Sequence, residues 1–186
     1  MRHYNTLVLN ADCQPKNMLP LSTVSWQEAI KAVCSGDASV MHEYDDWDVR
    51  SPRVTMRVPS VIVLTTYVPI KRFASMSKDN LKMRDDYTCQ YCAKVFPAYL
   101  LTYDHVQPQS KGGPTNWENI VAACSPCNNK RGSNSAIRPM REPYRPSYWE
   151  LVEKRKKYPI WVSHPSWVPY LDWSEELIRI PSSKAA

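Results

Sequence analysis

The stretch that decides the fold runs from residue 89 to residue 132 and reads CQYCAKVFPAYLLTYDHVQPQSKGGPTNWENIVAACSPCNNKRG. It begins with one Cys-x-x-Cys pair and holds a second pair after 31 intervening residues. Each pair can place two thiolates on one side of a tight turn, and two such turns complete the tetrahedral site that structural zinc prefers. We therefore predict a structural Zn²⁺ ion held by Cys89, Cys92, Cys124 and Cys127.

A zinc ion with four protein ligands has no open position for water or substrate, so we expect it to stabilise the fold and to take no part in chemistry. The alternative is two unrelated pairs of buried thiols. The matched spacing favours metal, because structural disulfides are rare in a reducing cytosol. Cys13 and Cys34 lie apart from the pairs, and we predict both as buried free thiols.

The segment between the two pairs carries the polar residues that a zinc site does not need. A strand pattern over residues 100–106 is followed by a turn-rich loop, and a second apolar segment leads to the second pair. A short helix is predicted to begin directly after that pair. In chain order, the notable residues are Asp104, His105, Gly112, Gly113, Asn119 and Asn128.

This linked pattern resembles the HNH endonuclease family over about residues 84–138. The resemblance implies a ββα-metal fold, in which a hairpin and a helix surround one divalent ion. It also implies His105 as general base and Asn119 as a brace for the loop. Asp104 and Asn128 would hold the catalytic ion. The last of these positions is often His in the family, so the chain is an Asn-ending variant.

These implied roles agree with the chemistry of the side chains. A neutral imidazole can take a proton from water near neutral pH. One carboxylate and one amide oxygen suit a hard cation, so we expect Mg²⁺ first and Mn²⁺ second. Neighbouring residues on a regular strand point to opposite faces. Asp104 and His105 can therefore serve one ion only if the strand bends or the ion lies at its edge.

The positive charge of the chain lies in its middle. Residues 71–141 contain eleven Lys and Arg against five Asp and Glu, whereas the flanking segments have net charges of −1 and +1. This excess of positive charge is explained equally well by a solvated basic face without a partner and by a surface that binds the phosphates of a nucleic acid. We predict DNA as the partner, contacted by Lys111 and by Lys130 and Arg131 at the start of the helix, where the helix dipole adds positive charge.

We predict an α+β protein with three parts: an N-terminal α+β unit over residues 1–72, the nuclease domain over 73–138 and a Pro- and aromatic-rich extension over 139–186. The first part resembles, more loosely, the N-terminal extension of some bacterial and phage HNH proteins. A capping box at Ser25 predicts a helix there. Strands are predicted over 38–44 and 60–66, with an acidic loop at 45–48, and helices over 77–86 and 147–157.

The tryptophans of the C-terminal part invite two interpretations. They can form a stacking platform for nucleic acid, or they can hold the tail against a folded unit, which we favour. The longest apolar run is far shorter than a membrane helix, and the first residues lack the apolar core of a signal peptide. We therefore expect a cytoplasmic protein without membrane contact.

Taken together, these features predict metal-dependent hydrolysis of DNA phosphodiesters, with 5′-phosphate and 3′-hydroxyl products by family resemblance. Two alternatives stay open: a four-cysteine zinc module that binds nucleic acid without cutting it, and a nuclease of the same chemistry that acts on RNA. The pattern does not specify strandedness, sequence preference or oligomeric state.

Overall fold

A computed structural model describes residues 5–52 and 54–180 of the chain. Contacts divide these residues into two units, one formed by 5–70 with 156–180 and the other by 71–155. The predicted extension over 139–186 is thus shared between the units, and the ends of the predicted domains at 1–4 and 181–186 lie outside the described residues. The mixture of helices and strands confirms the predicted α+β class.

The first unit is built on a four-stranded sheet with one helix across it. The elements are β1 (Asn5–Leu9), β2 (Thr23–Ser25), α1 (Trp26–Cys34), β3 (Ala38–Arg50) and β4 (Thr55–Leu64). The strand order is β2-β1-β4-β3, in which β1 and β4 are parallel and the two outer pairs are antiparallel. The helix packs on one sheet face through Ala29, which joins Val8 and Ile62 in a buried cluster.

Helix α1 begins with the capping box that the sequence predicts. The Ser25 backbone N–H donates to Glu28 Oε2 at 2.9 Å, and the Glu28 N–H donates to Ser25 Oγ at 3.3 Å. These reciprocal bonds satisfy backbone donors that a helix start leaves without intrahelical partners. The helix ends at Cys34, and Gly36 follows in the left-handed region with φ of 81°.

Two predictions for the first unit are wrong. Residues 45–48, predicted as an acidic loop, belong to strand β3, which pairs with β4 as far as Arg50 through several register shifts. Asp48 pairs with Arg57 of β4, and residues 44–47 form an irregular stretch between that pair and the pair of Glu43 with Pro59. The weak strand propensity of aspartate is thus overridden by the pairing of the residues on either side. Cys13 and Cys34, predicted as buried thiols, are both exposed.

The second unit contains a hairpin followed directly by a helix, flanked by two further helices. The elements are α2 (Lys78–Arg84), β5 (Leu101–His105), β6 (Ile120–Cys124), α3 (Ser125–Arg131) and α4 (Tyr148–Arg155). Strands β5 and β6 are antiparallel, with Leu101 opposite Cys124 and His105 opposite Ile120. Helices α2 and α4 lie inside the predicted ranges 77–86 and 147–157.

Helix α3 begins earlier than predicted. Cys124 is its N-cap and Pro126 lies in its first turn, a favourable place for proline because the missing N–H would have no intrahelical acceptor. Gly132 caps its end. Lys130 and Arg131 therefore occupy the last turn and not the start of the helix, and the expected contribution of a helix N-terminus at these two residues is wrong.

A buried ion pair ties helix α2 to the hairpin. Arg84 is fully buried and donates to both carboxylate oxygens of Asp85, at 2.8 and 3.1 Å, and to the Ile120 carbonyl at 2.7 Å. The Asp85 carboxylate in turn accepts the Ala122 N–H at 2.7 Å. The donors of Arg84 and the acceptors of Asp85 therefore find partners inside the unit, and these hydrogen bonds fix β6 relative to α2.

The tail of the chain completes the first unit. Strands β7 (Ile160–Trp161) and β8 (Ile178–Arg179) form a short parallel pair. Trp167 is buried, and its Nε1–H donates to the Ser60 carbonyl on β4 at 2.8 Å. The favoured role of the tryptophans in holding the tail is confirmed for Trp167, whereas the Trp161 side chain is largely exposed. Among the described residues, no helix has the length and apolar character to cross a membrane.

Candidate functional site

The four paired cysteines meet at one end of the β5–β6 hairpin. Their Sγ atoms lie within 4.8 Å of one another, and those of Cys92 and Cys124 are 4.0 Å apart. A tetrahedral site with metal–sulfur bonds of about 2.3 Å needs sulfur–sulfur distances of about 3.8 Å. The cluster therefore fits a four-thiolate metal site, and it can hold a zinc ion after a contraction of less than about 1 Å.

Local backbone structure places each cysteine. The first pair lies in a turn in which the Ala93 N–H donates to the Cys89 carbonyl at 3.0 Å, with Ala93 in the left-handed region. The Gln90 N–H donates to the Ala122 carbonyl at 2.9 Å, so the turn is attached to β6. Cys124 ends β6 and Cys127 lies in the first turn of α3.

The thiols of Cys89 and Cys127 differ in acidity although they are chemically alike. Burial raises the pKa of the Cys89 thiol, but N–H groups of Cys124, Tyr91 and Cys92 outweigh it and bring the pKa to about 7. Burial and the neighbouring cysteines raise the pKa of Cys127 to about 12. The Cys89 thiolate thus forms near neutral pH and opposes ionisation of Cys124 and Cys127. A divalent cation would relieve this repulsion.

Asp104 lies on β5 in a nearly closed environment and is 7% exposed. Arg131 Nη1 donates to its Oδ1 at 3.1 Å and its Oδ2 at 2.9 Å, and the Tyr91 hydroxyl donates to Oδ2 at 2.5 Å. Burial and the adjacent carboxylate raise the pKa of Tyr91 far above its ordinary range, so the phenol stays protonated and donates. Since a carboxylate has about four lone-pair positions, Oδ1 keeps acceptor capacity for a further ligand.

His105 follows Asp104 but faces other partners. Its Nε2 lies 2.9 Å from Thr115 Oγ1, and its ring stands edge-on to that of Tyr103 with centroids 6.0 Å apart. The alternation of a regular strand is therefore kept, with Tyr103 and His105 on one side and the Asp104 carboxylate against Arg131 and Tyr91. The strand is not bent to bring neighbouring side chains together. An ion and a base that use both residues would have to meet at the strand edge.

Asn119 holds the loop that follows His105. Its Oδ1 accepts the Gln107 N–H at 2.8 Å, and its Nδ2 donates to the carbonyls of Gln107 and Pro114 at 3.1 and 2.8 Å. Gly113 is required at the same place, because a Cβ there would lie 1.8 Å from the Gln107 carbonyl oxygen. The buried Asn119 side chain thus holds the loop backbone through three hydrogen bonds. The close approach of Gly113 to Gln107 leaves no room for a Cβ atom.

Asn128 lies in α3 against strand β5. Its Nδ2 donates to Thr102 Oγ1 at 3.0 Å and more weakly to the Tyr103 carbonyl at 3.4 Å. Thr102 and Asp104 share a face of the strand, because side chains alternate. The structure therefore places Asn128 beside the part of β5 that precedes Asp104. Because the amide nitrogen makes these bonds, a cation would be held through Oδ1.

The three predicted nucleic-acid contacts differ in their environment. Lys130 is exposed, and Lys111 is exposed with its Nζ 3.1 Å from Ser135 Oγ. Arg131 is 2% exposed and donates to the carbonyls of His105, Val106 and Ile137 as well as to Asp104. Its prediction as a phosphate contact is wrong, because its guanidinium donors already bind acceptors inside the unit.

Sequence reasoning missed two residues of this site. Tyr91 packs against the cysteine cluster, and its hydroxyl also donates to Asp104. Thr115 was not singled out, although it contacts His105. The position of Tyr91 between two metal-binding cysteines could have indicated that its side chain is held in place. No local pattern distinguishes Thr115 from an ordinary loop threonine.

Comparison with known families agrees with this geometry. The family described as HNH endonuclease matches residues 89–134, which span both cysteine pairs, the hairpin and α3. The family described as HNH endonuclease-associated, N-terminal domain matches residues 6–72, which cover the sheet of the first unit. No curated protein matches the chain. The chain therefore carries an HNH endonuclease domain, matched over residues 89–134, and ahead of it the N-terminal domain associated with such endonucleases, matched over residues 6–72.

Proposed function

We propose that the protein is a metal-dependent endonuclease that hydrolyses DNA phosphodiester bonds, with His105 as general base and one divalent ion. The observation that supports this most directly is the placement of His105, Asp104 and Asn128 on one hairpin and the helix that follows it, inside the matched nuclease domain. The products would be a 5′-phosphate and a 3′-hydroxyl.

His105 takes the proton from the attacking water. With its hydrogen on Nε2 and donated to Thr115 Oγ1, the imidazole presents Nδ1 as the lone-pair nitrogen. Asn119 contributes indirectly, since it holds the backbone of the loop that carries Thr115. General-base catalysis of this kind contributes about 10²- to 10⁴-fold to a rate.

Asp104 and Asn128 are the residues that would hold the catalytic ion, through one carboxylate and one amide oxygen. Two hard oxygen ligands suit Mg²⁺, with Mn²⁺ as second choice, because such ions keep several waters and accept phosphate oxygens. When bound, the ion supplies positive charge to the phosphate and to the leaving 3′ oxygen. Asp104 is already paired with Arg131, so we expect weak ion binding in the absence of DNA.

The four cysteines would bind a structural zinc ion that holds the domain together. Lys111 and Lys130 are the exposed cations proposed to contact DNA phosphates. They belong to the segment of the chain that carries its net positive charge. Arg131 is not part of this proposed contact set.

The test is nicking of supercoiled plasmid in the presence of Mg²⁺ by the wild type and by His105→Ala. The variant should retain zinc, fold and DNA binding, and its cleavage rate should fall by on the order of 10² or more. His42→Ala is the matched control, because His42 is exposed in the first unit and bonds to Tyr170, so its rate should equal that of the wild type.

Two results would replace this proposal. Nicking by the wild type that does not exceed that of a protein-free sample would favour the zinc module that binds nucleic acid without cutting it. Hydrolysis of a labelled RNA that proceeds well ahead of plasmid nicking under the same conditions would make RNA the substrate.

A further inference from the structure

Tyr91 links the cysteine cluster to the predicted ion ligand. It lies inside the first Cys-x-x-Cys turn, between Cys89 and Cys92, and its hydroxyl donates to Asp104 Oδ2 at 2.5 Å. The Arg131 guanidinium lies over its ring, with the central carbon 5.6 Å from the centroid. Tyr91 therefore belongs to the turn that carries two of the cysteines, and its side chain contacts the Asp104 carboxylate on β5.

The bonds to the Asp104 carboxylate are unequal. Oδ2 accepts the Tyr91 hydroxyl and an Arg131 N–H, whereas Oδ1 accepts Arg131 alone at the longer distance of 3.1 Å. This arrangement fixes the rotation of the carboxylate and leaves Oδ1 as the oxygen with capacity for a cation. Without the tyrosine hydroxyl, the remaining restraint on the rotation of the Asp104 carboxylate would come from Arg131, whose Nη1 bonds to both carboxylate oxygens.

We propose that Tyr91 is a positioning residue, through which the cysteine turn orients Asp104 and sets the affinity of the catalytic ion. The inference rests on the proposed function, because it assumes that Asp104 binds that ion. Residues that bond to metal ligands typically change metal affinity by about 10- to 100-fold when they are removed. Here Tyr91 would orient Asp104, the ligand of the catalytic ion, while it belongs to the turn that carries two cysteines of the proposed zinc site.

The test compares Tyr91→Phe with the wild type in two measurements. The first is Mn²⁺ binding without DNA, followed by electron paramagnetic resonance of the free ion. The second is plasmid nicking as a function of Mg²⁺ concentration. Tyr91→Phe should need on the order of tenfold more metal for half-saturation in both, while the rate at saturating Mg²⁺ stays within about threefold of the wild type.

Zinc content separates positioning from a merely structural role and should be unchanged in Tyr91→Phe, whereas the melting temperature should fall by only a few degrees, because one hydrogen bond to a buried carboxylate is lost. Tyr99→Phe is the matched control, because Tyr99 is 83% exposed in the same unit, and all its values should equal those of the wild type. A Tyr91→Phe protein that loses zinc would overturn the inference, since the tyrosine would then act through the cysteine cluster alone.

Asp104→Asn distinguishes failure of this inference from failure of the proposed function. If Asp104→Asn binds Mn²⁺ weakly while Tyr91→Phe matches the wild type, the positioning role is wrong and the proposed nuclease stands. If Asp104→Asn and His105→Ala both nick plasmid at the wild-type rate, the proposed function itself is wrong.

Discussion

The two ends of the β5–β6 hairpin are built in different ways. At one end, Leu101 pairs with Cys124, and four cysteines from two short turns converge on one point. At the other end, His105 pairs with Ile120, and the polar residues take partners from the loop and helix α3. The first end consists of four copies of the same residue, cysteine, whereas the second consists of different polar residues that each make different contacts.

This difference determines how each end responds to change. Four identical ligands would share one cation, so the loss of any one would remove the reason for the others to converge. At the polar end the hydrogen bonds join different groups and depend on no single shared ion, so single substitutions should act by smaller amounts. The predictions that follow test this contrast from the largest expected effect to the smallest.

The largest effect should come from the cysteines. Cys92→Ser should leave residues 84–138 poorly folded, because four-thiolate zinc binding is coupled to folding by on the order of 10 kcal/mol. Elemental analysis should find about one zinc per chain in the wild type, and circular dichroism should show the loss of structure in the variant. Cys34→Ser, an exposed cysteine of the first unit, is the control. A metal-free protein with an unchanged spectrum would contradict the zinc assignment.

Arg131→Ala should be the most destabilising change at the polar end. It leaves the buried Asp104 carboxylate without its cation and three carbonyls without a donor, which costs about 3–5 kcal/mol for a buried pair. Urea denaturation measures the difference. Lys130→Ala, one residue earlier and exposed, should change stability by less than about 0.5 kcal/mol. Equal stability of the two variants would show that Arg131 is not a structural tie.

Gly113→Ala should disturb the loop without unfolding the unit. The new Cβ would lie 1.8 Å from the Gln107 carbonyl oxygen and 2.9 Å from Asn119 Nδ2, and such overpacking costs about 1–3 kcal/mol. Gly112→Ala meets nothing within 4 Å and carries only the strain of φ 76°, so its melting temperature should fall less. A reversed order of the two melting temperatures would contradict the close approach at Gly113.

Lys130→Ala should affect DNA binding and leave folding intact. Each neutralised duplex phosphate contributes about −0.9 to the slope of log affinity against log salt, so the variant should bind more weakly with a slope shallower by about that amount. Fluorescence anisotropy at several salt concentrations provides the slopes. An unchanged slope would remove Lys130 from the interface.

The smallest effect concerns alkaline pH, at a residue that belongs to neither end. Burial, and next the hydrogen bond to Glu150, raise the pKa of Tyr144 to about 12 from its ordinary value near 10. Because the raised pKa is that of the folded state, the stability it contributes is complete below pH 10 and is lost as the pH rises towards 12. The stability difference between wild type and Tyr144→Phe should shrink over this interval. Urea unfolding at both limits measures it, and a constant difference would contradict the shift.

Local patterns predicted the helix start at Ser25, the strand that ends in Asp104 and His105, and the meeting of the cysteines. They failed at the acidic stretch 45–48, where the residues on either side pair with β4 and include the stretch in strand β3. They also failed at the start of α3, where the second cysteine pair itself forms the first turn. In the first case a contact between strands decided the outcome, and in the second one turn serves both the cysteine cluster and the helix.

The sequence by itself indicated the cysteine cluster, because two matched Cys-x-x-Cys turns supply the four thiolates that a tetrahedral metal site needs. Only the tertiary structure decided that Arg131 is a buried tie while Lys130 stays in solvent. The two cations are adjacent in the last turn of one helix, and no local pattern separates them. Arg131 is buried because Asp104 and the carbonyls of residues 105, 106 and 137 offer acceptors for its donors. A buried charge is tolerated only where such partners converge.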